Sequence, residues 1–77
     1  MIAAYVLIQT EVGKAAAVAV ALQDVPAVSE VATTAGPYDV IVRAEAATID
    51  ELGRLVISRV QSLGGVVRTL TCPVINL

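Results

Sequence analysis

The sequence contains no histidine, no tryptophan and no phenylalanine, and it has a single cysteine, Cys72. Without histidine, no Ser–His or Cys–His pair can form, and the usual general base near neutral pH is missing. One cysteine forms no disulfide within the chain, and no group of residues has the spacing of a metal site. We therefore expect no catalytic residue, no metal and no cofactor. The lone cysteine fits a reducing cytoplasm, and we expect it to pack in the core.

Basic residues and long apolar runs are also scarce. The net charge is −2 and the five basic residues are scattered along the chain, which gives no electrostatic footprint for nucleic acid. No apolar run reaches the roughly 18–20 residues that a membrane-spanning helix needs. Met1 leads into an apolar segment without the basic stretch of a signal peptide. We expect a cytoplasmic protein that binds neither nucleic acid nor a membrane directly.

Apolar residues are abundant, at 57% of the 77 residues. The length predicts a single domain over residues 1–77. A domain of this size buries only about 60–65% of the surface that its unfolded chain exposes. Its interior is too small for so many apolar side chains, and we therefore expect an obligate homo-oligomer.

The hydrophobic pattern predicts strands and helices in the order β-α-β-β-α-β. This is the order of a ferredoxin-like α+β fold, in which a four-stranded antiparallel sheet carries two helices on one face. A second sheet packed on the other face would give a dimeric α/β sandwich. The predicted elements span residues 2–10, 13–23, 27–35, 38–46, 49–63 and 66–75.

Spacing within the two helices predicts which side chains face the sheet. Thr48 and Glu51 form a capping box at the start of the second helix, and Gly64-Gly65 is predicted to end it. Gln61 is predicted to face water. The predicted inward residues are Ala15, Val18, Ala19 and Leu22 in the first helix, and Ile49, Leu52, Val56, Val60 and Leu63 in the second.

Two polar groups of residues are open to more than one interpretation. Gly36, Pro37, Tyr38 and Asp39 lie between the second and third strands and are typical of a tight turn. In one interpretation they form an ordinary hairpin; in the other, the phenol and the carboxylate belong to a binding site. The threonines at positions 69 and 71 either simply suit a strand or help to hold a small zwitterion.

These two groups together resemble a known family. The pattern Gly36-x-Tyr38-Asp39, followed by Gly65-Val66-x-Arg68-Thr69-x-Thr71, is similar to the effector domain of the Lrp/AsnC (leucine-responsive/asparagine regulator) family. That domain is also called RAM, for regulation of amino-acid metabolism. The start of the first helix and the Val25-Pro26-Ala27-Val28 link look similar as well, so that the resemblance covers essentially the whole chain.

The resemblance implies a domain that dimerises through its sheets, assembles into rings that are often octameric, and binds small amino acids in clefts between dimers. It implies ligand contacts from Gly36, Tyr38 and Asp39, and then from Thr69 and Thr71. Pro37 is a departure, because the family often has a polar or acidic residue there and proline removes one loop N–H.

Full-length members of the family also carry a helix-turn-helix domain, whereas this sequence starts directly at its first strand. We therefore expect a stand-alone module that regulates transcription or metabolism indirectly, through co-assembly with a helix-turn-helix relative. Two alternatives remain: a small dimeric enzyme of the oxygenase or isomerase type, and a purely structural assembly subunit without a ligand.

Overall fold

The structure is a computed structural model that describes residues 1–75. Its strands form one antiparallel sheet in the order β2-β3-β1-β4, and its helices connect them in the order β-α-β-β-α-β. The predicted ferredoxin-like α+β fold is thereby confirmed. The elements are β1 (Ile2–Thr10), α1 (Ala15–Gln23), β2 (Val28–Thr33), β3 (Val40–Ala46), α2 (Ile49–Leu55), which continues as a π-helical segment (Val56–Val60), and β4 (Val66–Pro73).

The core lies between the helices and one face of the sheet. Successive strand residues point to opposite faces, so that every second residue of β1 and β3 faces the helices. α1 packs on them with the predicted stripe, and α2 adds Leu52 and, from its π-helical segment, Val56 and Val60. The buried strand residues are Ala4, Val6, Ile8, Val40, Val42 and Ala44.

The opposite face of the sheet is open in the single chain and carries apolar side chains. Leu7 on β1 pairs with Ile41 on β3 and with Leu70 on β4, so that these three side chains form a row across the sheet. Tyr5 pairs with Cys72. The expectation that Cys72 packs in the core is wrong, because strand alternation turns its neighbour toward the helices and leaves the thiol exposed.

An ion pair closes the end of this open face nearest the start of β1. Arg43 donates to the carboxylate of Glu45 and, more weakly, to Ser29 Oγ at 3.4 Å. The hydrogen bond to Glu45 raises the pKa of Arg43. The remaining strand surface is therefore apolar at its centre and polar at this end.

The second helix ends earlier than predicted. Its last residue in helical conformation is Val60 rather than Leu63, and Gln61 N–H donates to Val56 O at 2.8 Å, one residue farther than in an α-helix. Serine hydroxyls compete for the carbonyls in this stretch, since Ser58 Oγ donates to Arg54 O at 2.7 Å. The prediction that Ile49 faces inward is also wrong, because its side chain is 51% exposed.

The start of α2 and the turn before β4 follow from local chemistry. Thr48 Oγ1 accepts from Glu51 N–H at 3.2 Å, which confirms the hydroxyl cap, whereas the Glu51 carboxylate accepts from Ala47 N–H at 3.3 Å instead of from the Thr48 N–H of a capping box. Gly64 and Gly65 lie in the turn that follows the helix, which has already ended at Val60. Gly65 has a φ of +96°, and a Cβ there would stand 3.0 Å from Lys14 Cβ, so that both the backbone and the contact with the start of α1 require glycine.

Candidate functional site

The loop between β2 and β3 is closed by hydrogen bonds from its first residue. Thr34 N–H donates to Asp39 O at 2.9 Å, and Thr34 Oγ1 donates to Tyr38 O at 2.7 Å. The backbone bond continues the β2–β3 register by one residue pair beyond Thr33 and Val40, so the strands stop short of the predicted positions 35 and 38. Gly36 has a φ of +153° at the exposed tip, a conformation that favours glycine.

Asp39 is attached to the end of β1 by both its backbone and its side chain. Its N–H donates to Ile8 O at 2.9 Å, and its carboxylate Oδ2 accepts from Thr10 N–H at 2.8 Å. The pairing of β1 with β4 shifts between Gln9 and Thr10, so this carboxylate takes a backbone donor where the ladder is irregular. Asp39 is therefore held in a fixed position at the end of the sheet, half-buried, by residues far away in sequence.

Thr69 and Thr71 lie on β4, on the other side of β1. They pair with Ile8 and Val6, whose side chains face the helices, and both threonines therefore face the helix layer. Thr69 Oγ1 accepts from Gln61 Nε2 at 2.9 Å. A hollow of about 460 Å³ beside this bond is lined by Gln61, Val66, Val67, Arg68 and Thr69.

The structure thus places the predicted residues at one end of the sheet but in two groups. Because neighbouring strands lie about 4.8 Å apart, the loop at the start of β3 and Thr69 on β4 are separated by about 10 Å, with β1 between them. The hollow beside Thr69 has no lining from Gly36, Tyr38 or Asp39. Thr71 lies farther along β4, in a second hollow of about 370 Å³ against α2.

Gln61 is a polar residue at this end of the molecule that the sequence interpretation assigned to water. Its amide reaches β4 because the chain turns back immediately after the helix, and its partner Thr69 is only eight positions away in sequence. A polar residue that continues the helical row of Ile49, Gly53 and Ile57 toward a strand threonine is a signal that could have identified it.

The residues that the structure describes include neither a candidate metal site nor a helix that could span a membrane. Within residues 1–75, no group of three or more histidine, cysteine, aspartate or glutamate side chains is placed to hold a metal ion. None of the helices in this part of the chain is long and apolar enough to cross a membrane. What the end of the sheet offers is a carboxylate, hydroxyls, an amide and loop backbone groups, which are suited to holding a small polar molecule.

Comparison with known protein families shows to which family the chain belongs. Residues 3–77 match the family described as the Lrp/AsnC ligand binding domain. The β-α-β-β-α-β fold and its four-stranded antiparallel sheet agree with this match. The chain belongs to the Lrp/AsnC ligand-binding domain family. A comparison with curated proteins gives no significant match.

Solved structures agree with the family. TTHA0845 from Thermus thermophilus is 34% identical, with a TM-score of 0.93, and the match covers 100% of this chain and 96% of that one. The hypothetical protein PHS023 from Pyrococcus horikoshii is 28% identical, with a TM-score of 0.91 and coverages of 100% and 93%.

A third similar structure is the transcriptional regulator NMB0573 from Neisseria meningitidis, solved as a complex with L-Met. It is 17% identical, with a TM-score of 0.87, and the match covers 97% of this chain but 50% of the regulator. At this identity the likeness shows the fold alone.

Proposed function

We propose that this protein is an oligomeric module that senses a small amino acid and is not an enzyme. The observation that carries the proposal is the match of residues 3–77 to a ligand-binding domain family. The L-Met complex of the similarly folded regulator supports an amino acid as the class of ligand. The absence of histidine from the sequence is in keeping with a binding role.

The ligand contacts are Gly36, Tyr38, Asp39, Thr69 and Thr71. Asp39 uses Oδ2 for the backbone of β1, and its other oxygen is the acceptor for a ligand ammonium group. Loop N–H groups near Gly36 receive the ligand carboxylate, a type of contact that backbone turns commonly make with anions. The threonine hydroxyls contact the remaining polar atoms of the ligand.

A second chain is needed to complete this site. The loop and Thr69 lie about 10 Å apart across β1, a separation that one small amino acid does not bridge while being enclosed. We therefore place the ligand where copies of the chain meet, with the loop of one copy and residues of a neighbour around it. Binding then changes the relative stability of assemblies, which is how such a module signals to a helix-turn-helix relative with which it co-assembles.

The open sheet face supplies the first contact between copies. The row of Leu7, Ile41 and Leu70, flanked by Tyr5, is apolar and continuous across three strands. In a monomer this apolar surface would be exposed to water, whereas a second sheet packed on it would shield it from water. The resulting dimer is the unit from which larger rings form.

Calorimetry against each of the twenty amino acids tests the sensing role, with Asp39→Asn as the informative variant. Asparagine keeps an oxygen acceptor for Thr10 N–H but has no charge for the ligand ammonium group. We expect one or a few amino acids to bind the unaltered protein, and the affinity to fall by about tenfold or more in the variant.

Asp24→Asn is the matched control, because Asp24 is an exposed carboxylate at the end of α1, away from the loop. It should bind like the unaltered protein. If no amino acid gives a signal, the sensing proposal fails and the structural assembly subunit becomes the better interpretation. Equal losses in both variants would instead contradict the assignment of Asp39 to the ligand.

A further inference from the structure

The side of α2 that borders β4 carries exposed isoleucines around a glycine. Ile49 is 51% exposed and Ile57 is 65% exposed, and each lies four residues from Gly53. All three line the hollow against Thr71 and Pro73 of β4, and their spacing of four residues places them in one row along the helix. We call Ile49, Gly53 and Ile57 the α2 stripe.

Nothing within the chain explains the glycine at the centre of this stripe. Glycine is among the least favourable residues in a helix interior. The φ of Gly53 is not positive, and a Cβ there would meet no atom of the described chain within 4 Å. Neither backbone conformation nor internal packing therefore requires it. Small residues on a helix allow another backbone to approach closely, and a contact with a second molecule would give Gly53 this role.

The α2 stripe is symmetric about its own centre. Two antiparallel helices can be related by a twofold axis that passes beside Gly53 of each copy. Ile49 of each copy then lies opposite Ile57 of the other copy, and the two glycines face each other where the helices cross. A surface of this kind is complementary to itself. It fits a second copy of this chain, since an isologous contact needs the same patch on both partners.

The charges beside the stripe fit the same arrangement. Asp50 and Arg54 lie on one flank of α2, and the antiparallel pairing brings each Asp50 next to the partner copy's Arg54. Within residues 1–75, the one ion pair is Arg43 with Glu45, so that Asp50 and Arg54 are not paired inside the chain although they are four residues apart. The antiparallel helices also place the acidic first turn of one copy beside the basic end of the other.

We propose that the α2 stripe joins two copies of this chain, helix against helix and antiparallel, through a twofold axis at Gly53. This contact lies on the helix layer and goes beyond the proposed sensing function and its sheet-to-sheet dimer. Two different twofold contacts on one chain extend a dimer into larger closed assemblies. The stripe is small, so it acts where the sheet contact has already brought copies together.

Sedimentation velocity of the full chain over a dilution series tests the contact with Ile57→Glu. A carboxylate on the stripe would be buried against the partner copy's Ile49, so the largest assembly should dissociate at about thirtyfold higher concentration. Val20→Glu is the matched control, because Val20 is 62% exposed on α1 and lies off the stripe. The contact is overturned if Ile57→Glu and Val20→Glu both sediment like the unaltered chain.

Crosslinking provides a second test that does not depend on a disruptive substitution. Packed helices lie about 8–10 Å apart with Cα atoms about 2.3 Å from each axis, so facing Cα atoms are about 3.4–5.4 Å apart, and the upper part of this range overlaps the roughly 4.4–6.8 Å that a disulfide spans. In a Cys72→Ser background, Gly53→Cys should form a disulfide-linked pair under mild oxidation, and Val20→Cys should not. Equal crosslinking of both variants, or none at position 53, contradicts the proposal.

Charge reversal distinguishes a second copy from any other occupant. Asp50→Arg and Arg54→Asp should each weaken the largest assembly, because each places like charges side by side across the twofold axis. The double variant Asp50→Arg/Arg54→Asp restores opposite charges and should recover the assembly. If the double variant is weaker than both single variants, the stripe does not pair with itself.

Discussion

The two faces of the sheet are built from the same strands and are used differently. On the helix side, every second residue along the middle of β1 and β3 is fully buried, and Ile8 belongs to a core cluster with side chains from both helices. On the open side, the neighbouring residue Leu7 is half-buried and sits in an apolar row that nothing in the single chain covers. Period-two alternation normally separates apolar from polar residues, yet here both sides of β1 are apolar.

The difference between these faces separates folding from assembly. The helix-side residues hold one chain together, because they are removed from water whether or not a second chain is present. The open-face residues contribute little until another surface covers them. The high apolar content of this small chain, 57%, is accounted for if apolar residues serve both the core of one chain and the contact between chains.

The largest expected effect is loss of a helix-side residue. Ile8→Ala should lower the free energy of unfolding by about 2–5 kcal/mol, because it leaves a cavity in the fully buried core. Leu7→Ala is the matched control on the other face of the same strand. In urea titrations of dilute protein, Leu7→Ala should lower the free energy of unfolding by less than Ile8→Ala does. The loss caused by Leu7→Ala should increase as the protein concentration is raised. Equal, concentration-independent losses would contradict the division of roles between the faces.

A charge on the open face should weaken the contact between chains and leave the packing within each chain intact. Leu70 is 48% exposed at the β4 end of the apolar row, so Leu70→Glu should change the free energy of unfolding of the single chain by no more than about 0.5 kcal/mol. A second sheet packed there would bury the carboxylate, and association should weaken by about 2–4 kcal/mol in sedimentation equilibrium. The same substitution at Val20, on the outer side of α1, should leave association unchanged. A Leu70→Glu variant that still forms the same assembly would exclude this face as the contact.

Local patterns predicted the fold well because the signals act over a few residues. The stripe Val18, Ala19 and Leu22 identified both the helix and its buried side, and the Thr48–Glu51 cap placed the start of α2. These features depend on spacing within one element, which the sequence displays directly.

The parts that were missed depend on partners in other elements. The hydrogen bond between the Gln61 amide and Thr69 forms only after the chain has turned back from α2 to β4. The carboxylate of Asp39 reaches Thr10, which lies 29 residues away, and this bond exists only once β1 lies beside β3. The loop could be recognised as a candidate site, but its separation from the β4 threonines follows from the strand order and is not visible in the sequence.

The smallest expected effect compares two glycines at the edge of the helix layer. Gly53→Ala should stabilise the dilute single chain by about 0.5–1 kcal/mol, because alanine favours a helix and a Cβ there meets no described atom. Gly65→Ala should instead destabilise it by about 1–2 kcal/mol, because its φ is +96° and Lys14 Cβ stands 3.0 Å away. Chemical denaturation of both variants measures whether each substitution raises or lowers the free energy of unfolding. A loss at both positions would mean that the fold itself requires Gly53, whereas a gain there would show that the glycine is kept for something other than the stability of one chain.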